Sequence, residues 1–479
     1  MTVLIGRPLH WAITAAAGSG FLLFGYDQGV MSGLLTGQAF TAQFPEIDTN
    51  EGSNGSASLQ GTVVAIYEIG CFFGSILALV FGEKLGRRMT ILIGCAILCV
   101  GGALQASAYS IPHLIVGRIV AGLGNGMNTS TIPVWHSELM QADKRGKGLS
   151  IELAINIFGV MTAYWVDYGM SYVNNHAQFR FPLGLQCVFA LVTIALMLVL
   201  PESPRWLIAQ DRHDEARNIL LALLPKNKPD EDFVHREMSE IQHAIDEERE
   251  AAHGSSYKAL FTNGPQKFFY RTMLGIGGQF MQQLSGINLI TYYAPVIFQQ
   301  SVGLSHNMSM LLAGFNGVAY FLSSLIPIWV IDRLGRRKLM LFAAAGQGCC
   351  MAILAGTVSD GSATSVPAEY APLAIRQRAA ALASASNWIF TFLVVEITPV
   401  SIGNIGYRTY IYFCIFNFCF LPLIYFFYPE TRNLTLEQID KLFTGGKVML
   451  HWTPSMGEIG DPSEVKDGIV EQHVEKQIA

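Results

Sequence analysis

The chain is poor in charge. Asp, Glu, Lys and Arg make up 14% of its 479 residues, where soluble domains carry about 25%. That deficit excludes an ordinary water-facing surface. With a net charge of −5 there is no basic stripe for a nucleic-acid backbone to follow, and no nucleic-acid partner is expected. Cysteine is sparse too. The eight present (Cys71, Cys95, Cys99, Cys187, Cys349, Cys350, Cys414 and Cys419) all lie in apolar runs and lack metal-ligand spacing, so they read as packing residues. No Ser-His-Asp set, metal-ligand set or phosphate-cradling loop can be assembled, so neither enzymatic chemistry nor a cofactor or metal is expected. No cleavable leader is expected, because the first apolar run, residues 11–35, is too long and has no small-residue cleavage site.

What stands in place of charge is apolar length, 51% of the residues being hydrophobic. Runs near the ~20 residues a bilayer requires fall at 11–35, 61–82, 89–108, 113–136, 149–170 and 181–200. After a hydrophilic stretch from 201 to 271, five more fall at 273–300, 310–331, 339–358, 380–400 and 408–428. The fold class expected is therefore all-α and membrane-embedded. A bundle over 1–200 is joined by a helical linker, 201–271, to a second bundle over 272–428, and a polar tail follows over 429–479. In the linker, Met238, Ile241 and Ile245 share one helix face, with acids around the rest. Lysine and arginine gather after the second, fourth and eighth spans, while residues 36–60 and 300–310 hold neither. By the positive-inside rule the N-terminus and linker face the cytoplasm.

The two halves echo each other. Gly82-Glu83-Lys84-Leu85-Gly86-Arg87-Arg88 matches Asp332-Arg333-Leu334-Gly335-Arg336-Arg337, and Pro201-Glu202-Ser203-Pro204-Arg205 matches Pro429-Glu430-Thr431-Arg432. Trp135-His136-Ser137-Glu138-Leu139, followed by Arg145, is echoed around Glu369. An acid–Leu-Gly-Arg-Arg turn in each half marks two-fold transporter architecture. Glu83 and Asp332 are 249 residues apart, but Glu202 and Glu430 only 228. The second half is thus short by about one membrane span, and the shortfall falls between about 357 and 366, where the sequence is polar.

Inside the seventh run lies an amide cluster. Gln279, Gln282 and Gln283 share one helix face, Asn288 and Tyr292 another, and Gly286 and Pro295 offer places to bend. Amides in hydrocarbon must face protein or a wet cavity. Rich in both donors and acceptors, they suit a polyol such as a sugar, and they serve equally well to bond helices together. Asp27 is the sole charge in its span, with Arg118 the natural partner, either as a static pair or as a working one.

With these motifs in hand, the chain resembles a sugar porter of the major facilitator superfamily over about residues 10–440, apparently short of the tenth span. The likeness rests on Phe24-Gly25-Tyr26-Asp27, both Gly-Arg-Arg turns, Gly117-Arg118 through Gly126, the Pro-Glu motifs, and Gln282-Gln283-Leu284-Ser285-Gly286-Ile287-Asn288. It implies that Gln282, Gln283, Asn288 and Asn387 contact sugar hydroxyls and that Tyr292 and Tyr293 form an outer gate. It implies a proton-coupling pair in Asp27 and Arg118. It also implies a latch between the bundles, formed by Glu83, Arg87, Arg88, Glu138, Arg145, Glu202, Arg205, Asp332, Arg336, Arg337, Glu369 and Glu430. Leu153 stands where many relatives carry a sugar-binding glutamine, with Glu152 and Asn156 nearby. The expected activity is alternating-access transport of a monosaccharide, a hexose foremost, with proton symport. The expected partners are a small-molecule sugar, protons and the lipid of the plasma membrane, the protein acting as a monomer. The alternatives are a non-transporting sugar sensor and an inactive truncated transporter.

Overall fold

The computed structural model describes residues 5–49, 54–140, 145–224, 231–252, 267–300, 304–326, 328, 336–356, 376–405 and 408–429. No strand occurs among them. Six long helices form the first half: α1 (Arg7–Leu34), α3 (Ala57–Leu85), α4 (Arg87–Ala106), α5 (Ile111–Leu139), α6 (Arg145–Met170) and α7 (Ala177–Val199), with the short α2 (Gln38–Gln43) after the first. Ser56 caps α3 by accepting the Leu59 amide at 3.3 Å. Each expected span of this half coincides with one helix.

Among the described residues of the linker three helices follow, α8 (Pro204–Ala209), α9 (His213–Leu223) and α10 (Glu231–Ala252). Ile245 is buried with Leu207, Ile208 and Ala216, and Met238 and Ile241 pack beside it, as the apolar face of the linker requires. The linker is tied to the first half: the Gly6 amide donates to the Ala222 carbonyl at 2.7 Å and His10 pairs with the Leu223 carbonyl at 3.0 Å.

The second half holds α11 (Phe268–Leu284), α12 (Ile287–Gln300), α13 (His306–Ser324), α14 (Arg336–Gly356), α15 (Arg376–Ile405) and α16 (Arg408–Phe427). The seventh run is therefore two helices, not one. The chain breaks at Gly286, whose φ of +89° is open to glycine and strained for other residues. A second irregularity follows at Tyr293, just before Pro295, where φ and ψ are −129° and 16°. The expected span deficit, between about 357 and 366, lies outside the described residues.

Among the described residues five helical segments are long and apolar enough to cross a membrane by themselves: Ala57–Leu85, Arg87–Ala106, Ala177–Val199, Ser384–Ile402 and Thr409–Phe427. Helices α1, α5 and α6 are of similar length but bury polar groups, including Asp27, Arg118, Asn125, His136, Glu152 and Asp167. Such groups need protein rather than lipid around them, so these helices sit inward.

Packing between the halves differs at the two ends. One large apolar cluster joins them where Val30, Phe40, Phe44 and Val63 of the first half meet Tyr292, Tyr293, Val296 and Val395 of the second. At the end bearing the Gly-Arg-Arg turns, Leu9, Ile91, Trp135 and Met197 form a cluster within the first half. Leu274, Met340, Phe420 and Ile424 form a separate one within the second. The first end is shut by a continuous core.

Candidate substrate and coupling site

The break at Gly286 places three amides together. Gln283, at the end of α11, donates its side-chain amide to the Asn387 carbonyl oxygen on α15 and accepts from Asn288 in the first turn of α12. Asn417 of α16, fully buried, donates to the Ser285 carbonyl at 3.0 Å and holds the break from behind. Gln282 is half-buried and takes no part in this chain of bonds, although its carbonyl accepts the Ser285 hydroxyl at 2.6 Å. Trp388, the neighbour of Asn387, crosses to the first half. Its ring meets Phe24 edge-on at 5.3 Å between centroids and packs with Tyr67, Cys71 and Ala121. The amide chain thus lies beside the seam between the halves.

Across that seam lies a buried polar cluster. Asp27 accepts a hydrogen bond from the Tyr67 hydroxyl at 2.9 Å. The Arg118 guanidinium lies over the Tyr67 ring, 5.0 Å from its centroid, and donates to the Val64 carbonyl at 2.7 Å. The expected partners are therefore linked through Tyr67, and no direct ion pair joins them among the described residues. The aromatic face takes the cation and the phenol serves the carboxylate. Tyr292 is fully buried and donates to the Glu68 carboxylate, while Tyr293 donates to the Val395 carbonyl at 3.1 Å.

The latch residues divide. Arg87 and Glu138 form an ion pair at 3.0 Å, with a second bond from Arg87 Nε at 3.1 Å. Glu202 accepts the backbone amides of Arg87 and Arg88, and Arg88 donates to the Met197 carbonyl at 2.9 Å. The exposed Glu83 lends its carbonyl to Trp206 at 2.7 Å, and Arg205 lies in the first turn of α8. These contacts all lie within the first half and its linker. In the second, Arg337 stacks on Tyr425 at 5.1 Å. Arg145 and Arg336 open α6 and α14, and Asp332, Glu369 and Glu430 lie outside the described residues.

Glu202, in the loop after α7, has its carboxyl raised above the usual carboxylate range by burial, against the lowering effect of the Ser203, Arg88 and Arg87 amides. A raised folded-state value means that its contribution to stability is full below the ordinary glutamate range and is lost as pH rises through the folded value. The difference in melting temperature between wild type and Glu202→Gln should therefore move against wild type as pH rises from 4 toward neutrality. A difference that stays constant with pH would remove Glu202 from this role.

Sequence reasoning missed Tyr67, Glu68, Asp167 and Asn417. Glu68 is the one carboxylate inside the second apolar run, and the rule that singled out Asp27 applies to it equally. Asp167 sits against Gly33, near enough that a Cβ there would fall 2.6 Å from its Oδ2. His136 and Glu152 form a further buried pair.

Paired helical bundles, an interrupted helix presenting amides at the seam and a buried carboxylate define a membrane solute transporter rather than an enzyme. The chain belongs to the sugar (and other) transporter family, whose sequence pattern matches residues 11–366 and 361–443. It is 37% identical to the sugar transporter STL1 of Saccharomyces cerevisiae, over 92% of this chain and 82% of that one. It is 38% identical to the MFS-type transporter oryC of Aspergillus oryzae, over 93% and 88%, and 32% identical to the S. cerevisiae low-affinity glucose transporter HXT1, over 90% and 81%. The fold is that of the major facilitator proton:xylose symporter XylE bound to 6-bromo-6-deoxy-D-glucose. The TM-score is 0.77 at 25% identity, over 91% of this chain and 100% of that one. Against the inward-open conformation of XylE from E. coli, the TM-score is 0.69 at 25% identity, over 90% and 99%.

Proposed function

We propose that the protein carries a monosaccharide, a hexose foremost, across the plasma membrane by alternating access with proton symport. The observation that carries this reading is the amide chain Asn288–Gln283–Asn387 at a helix break, across the seam from a buried carboxylate. Neutral amides offer donors and acceptors in the alternation a sugar hydroxyl needs, and half-helix ends put them at the seam where the halves rock. Relatives named for glucose transport and a fold neighbour named for proton:xylose symport support the same substrate class and coupling. In this reading residues 1–200 and 272–428 are the rocking bundles, 201–271 is the cytoplasmic linker and 429–479 the tail. The N-terminus is cytoplasmic and a monomer suffices. Asp27 carries the proton, Arg118 acting on it through Tyr67, and the charged turns latch the opposite end.

The test is uptake of labelled glucose by proteoliposomes holding the purified chain, with and without an inward proton gradient. Wild type should accumulate label above equilibrium only with the gradient, and Asp27→Asn should equilibrate but never concentrate. Equilibration by wild type in both arms would overturn the symport assignment. Absence of uptake from monodisperse protein, with glucose binding retained, would favour the sensor.

A further inference from the structure

Among the described residues four hydrogen bonds cross from the first half to the second at the shut end, one of them from the Thr36 hydroxyl to the Met310 sulfur at 3.6 Å. Tyr164 donates to the Thr291 carbonyl at 2.6 Å, Thr62 donates to Glu396 at 2.8 Å, and Tyr292 donates to Glu68. The last differs in kind from the other three. Both partners are fully buried, and one is a carboxylate. Among the described residues the second carboxylate oxygen of Glu68 has no hydrogen-bond partner, and the Tyr292 hydroxyl is the one donor the oxygen pair receives. A buried carboxylate with a single donor depends on that donor heavily, because bonds to charged acceptors are about twice as strong as neutral ones. Glu68 also follows Tyr67 directly in α3. One turn of one helix therefore holds Asp27 through Tyr67 and the second half through Glu68.

We propose that Glu68 is a positioning residue that locks the shut end by holding Tyr292 across the seam, so that opening there requires this bond to break. The proposal rests on the alternating-access reading above and adds to it the group in the first half that the gate closes upon. The lock stabilises one of two arrangements of the halves, and its removal shifts the population between them in proportion to the bond's differential strength. Tyr292→Phe keeps the ring and its packing but removes the donor. Glu68→Gln keeps an acceptor oxygen in the same volume, whereas Glu68→Leu removes it.

The experiment reads conformation rather than transport, so its outcome is independent of which solute is carried. Spin labels are placed at Ala42 on α2 and Met308 on α13, both exposed at the shut end, in full-length protein whose native cysteines are replaced. Pulsed electron resonance in nanodiscs then gives the populations of short and long distances. Tyr292→Phe and Glu68→Leu should each raise the long-distance population relative to the short by about tenfold, equivalent to ~1.4 kcal/mol. The double variant should go no further than either single one, since both remove the same bond. Glu68→Gln should stay within about twofold of wild type. Should Glu68→Leu fail to give monodisperse protein, Tyr292→Phe against Glu68→Gln decides alone. A wild-type distribution in Tyr292→Phe, or additive shifts in the double variant, overturns the lock. Loss of uptake in Gln283 variants would leave it untouched.

Discussion

Gly25→Val is expected to prevent recovery of folded transporter, or to leave material melting far below wild type. A Cβ at Gly25 would lie 1.7 Å from the Asn156 carbonyl oxygen and 2.7 Å from its carbon, both backbone atoms of α6. No rotamer change relieves such a clash, so α1 and α6 would have to separate by more than an ångström. The contact is reciprocal, since a Cβ at Gly159 would lie 2.3 Å from the Leu22 carbonyl oxygen. Overpacking typically costs about 1–3 kcal/mol where side chains can yield, and a backbone-on-backbone clash should reach the top of that range or pass it. The damage also reaches function, because Tyr26 and Asp27 follow directly and the Asp27–Tyr67 bond spans α1 and α3. Gly169→Ala is the matched control: nothing lies within 4 Å of a Cβ there. It should match wild type or gain slightly from helix propensity, by up to ~1 kcal/mol. Equal melting temperatures for Gly25→Val and wild type would refute close α1–α6 packing.

Gln283→Leu should lower transport efficiency about a hundredfold with little change in thermal stability. Gln283 is the middle of the amide chain, bonded on one side to Asn288 and on the other to Asn387. Leucine fills a similar volume but leaves both neighbours without the atoms that orient them. If the site presents these amides to sugar hydroxyls, two lost bonds at ~1–1.5 kcal/mol each amount to roughly 100-fold. The loss should fall mainly on the apparent sugar affinity. Asn417→Leu is predicted to behave differently. It releases the Ser285 carbonyl behind the break and should reduce stability before affinity. Unchanged initial rates across a range of sugar concentrations for Gln283→Leu would move the amides to a purely helix-bonding role.

Much of this was legible from the chain because the relevant signals are local. The left-handed backbone at Gly286 and the disturbance before Pro295 follow from what each residue can do in a helix, and both arose where the sequence placed them. The amide cluster could be found by composition, since amides are conspicuous in an apolar run. What could not be read was which faces meet. Tyr67 looks like any aromatic in a span, and its position between Asp27 and Arg118 depends on the docking of α1, α3 and α5. The same holds for Glu68, whose isolation in an apolar run marks it as important without revealing that Tyr292 lies opposite. Contacts across the seam are also the ones that change as a transporter works, so no pattern within one helix encodes them. The latch shows this limit from the other side. Recurring acids and bases were plain in both halves, yet Arg87 pairs with Glu138 of its own bundle.

The interruption at Gly286 makes α12 a separate segment, 14 residues long and bent again at Tyr293, about 21 Å of helical rise in all. Asn288 sits beside its fulcrum, and Tyr292 and Tyr293 sit farther along it. Tilting the part from Ile287 to Tyr293, about 9 Å long, by ~10° leaves Asn288 almost still but moves Tyr293 through roughly 1.5–2 Å. That is enough to stretch the hydrogen bond from Tyr293 to Val395, 3.1 Å long, beyond hydrogen-bonding distance. Under the proposed role of Asn288 in holding the sugar, a pull of a fraction of an ångström there would be geared to a displacement several times larger at the two tyrosines. In that proposed reading leverage, rather than a relay of contacts, would carry news of occupancy from the middle of the protein to its closed face.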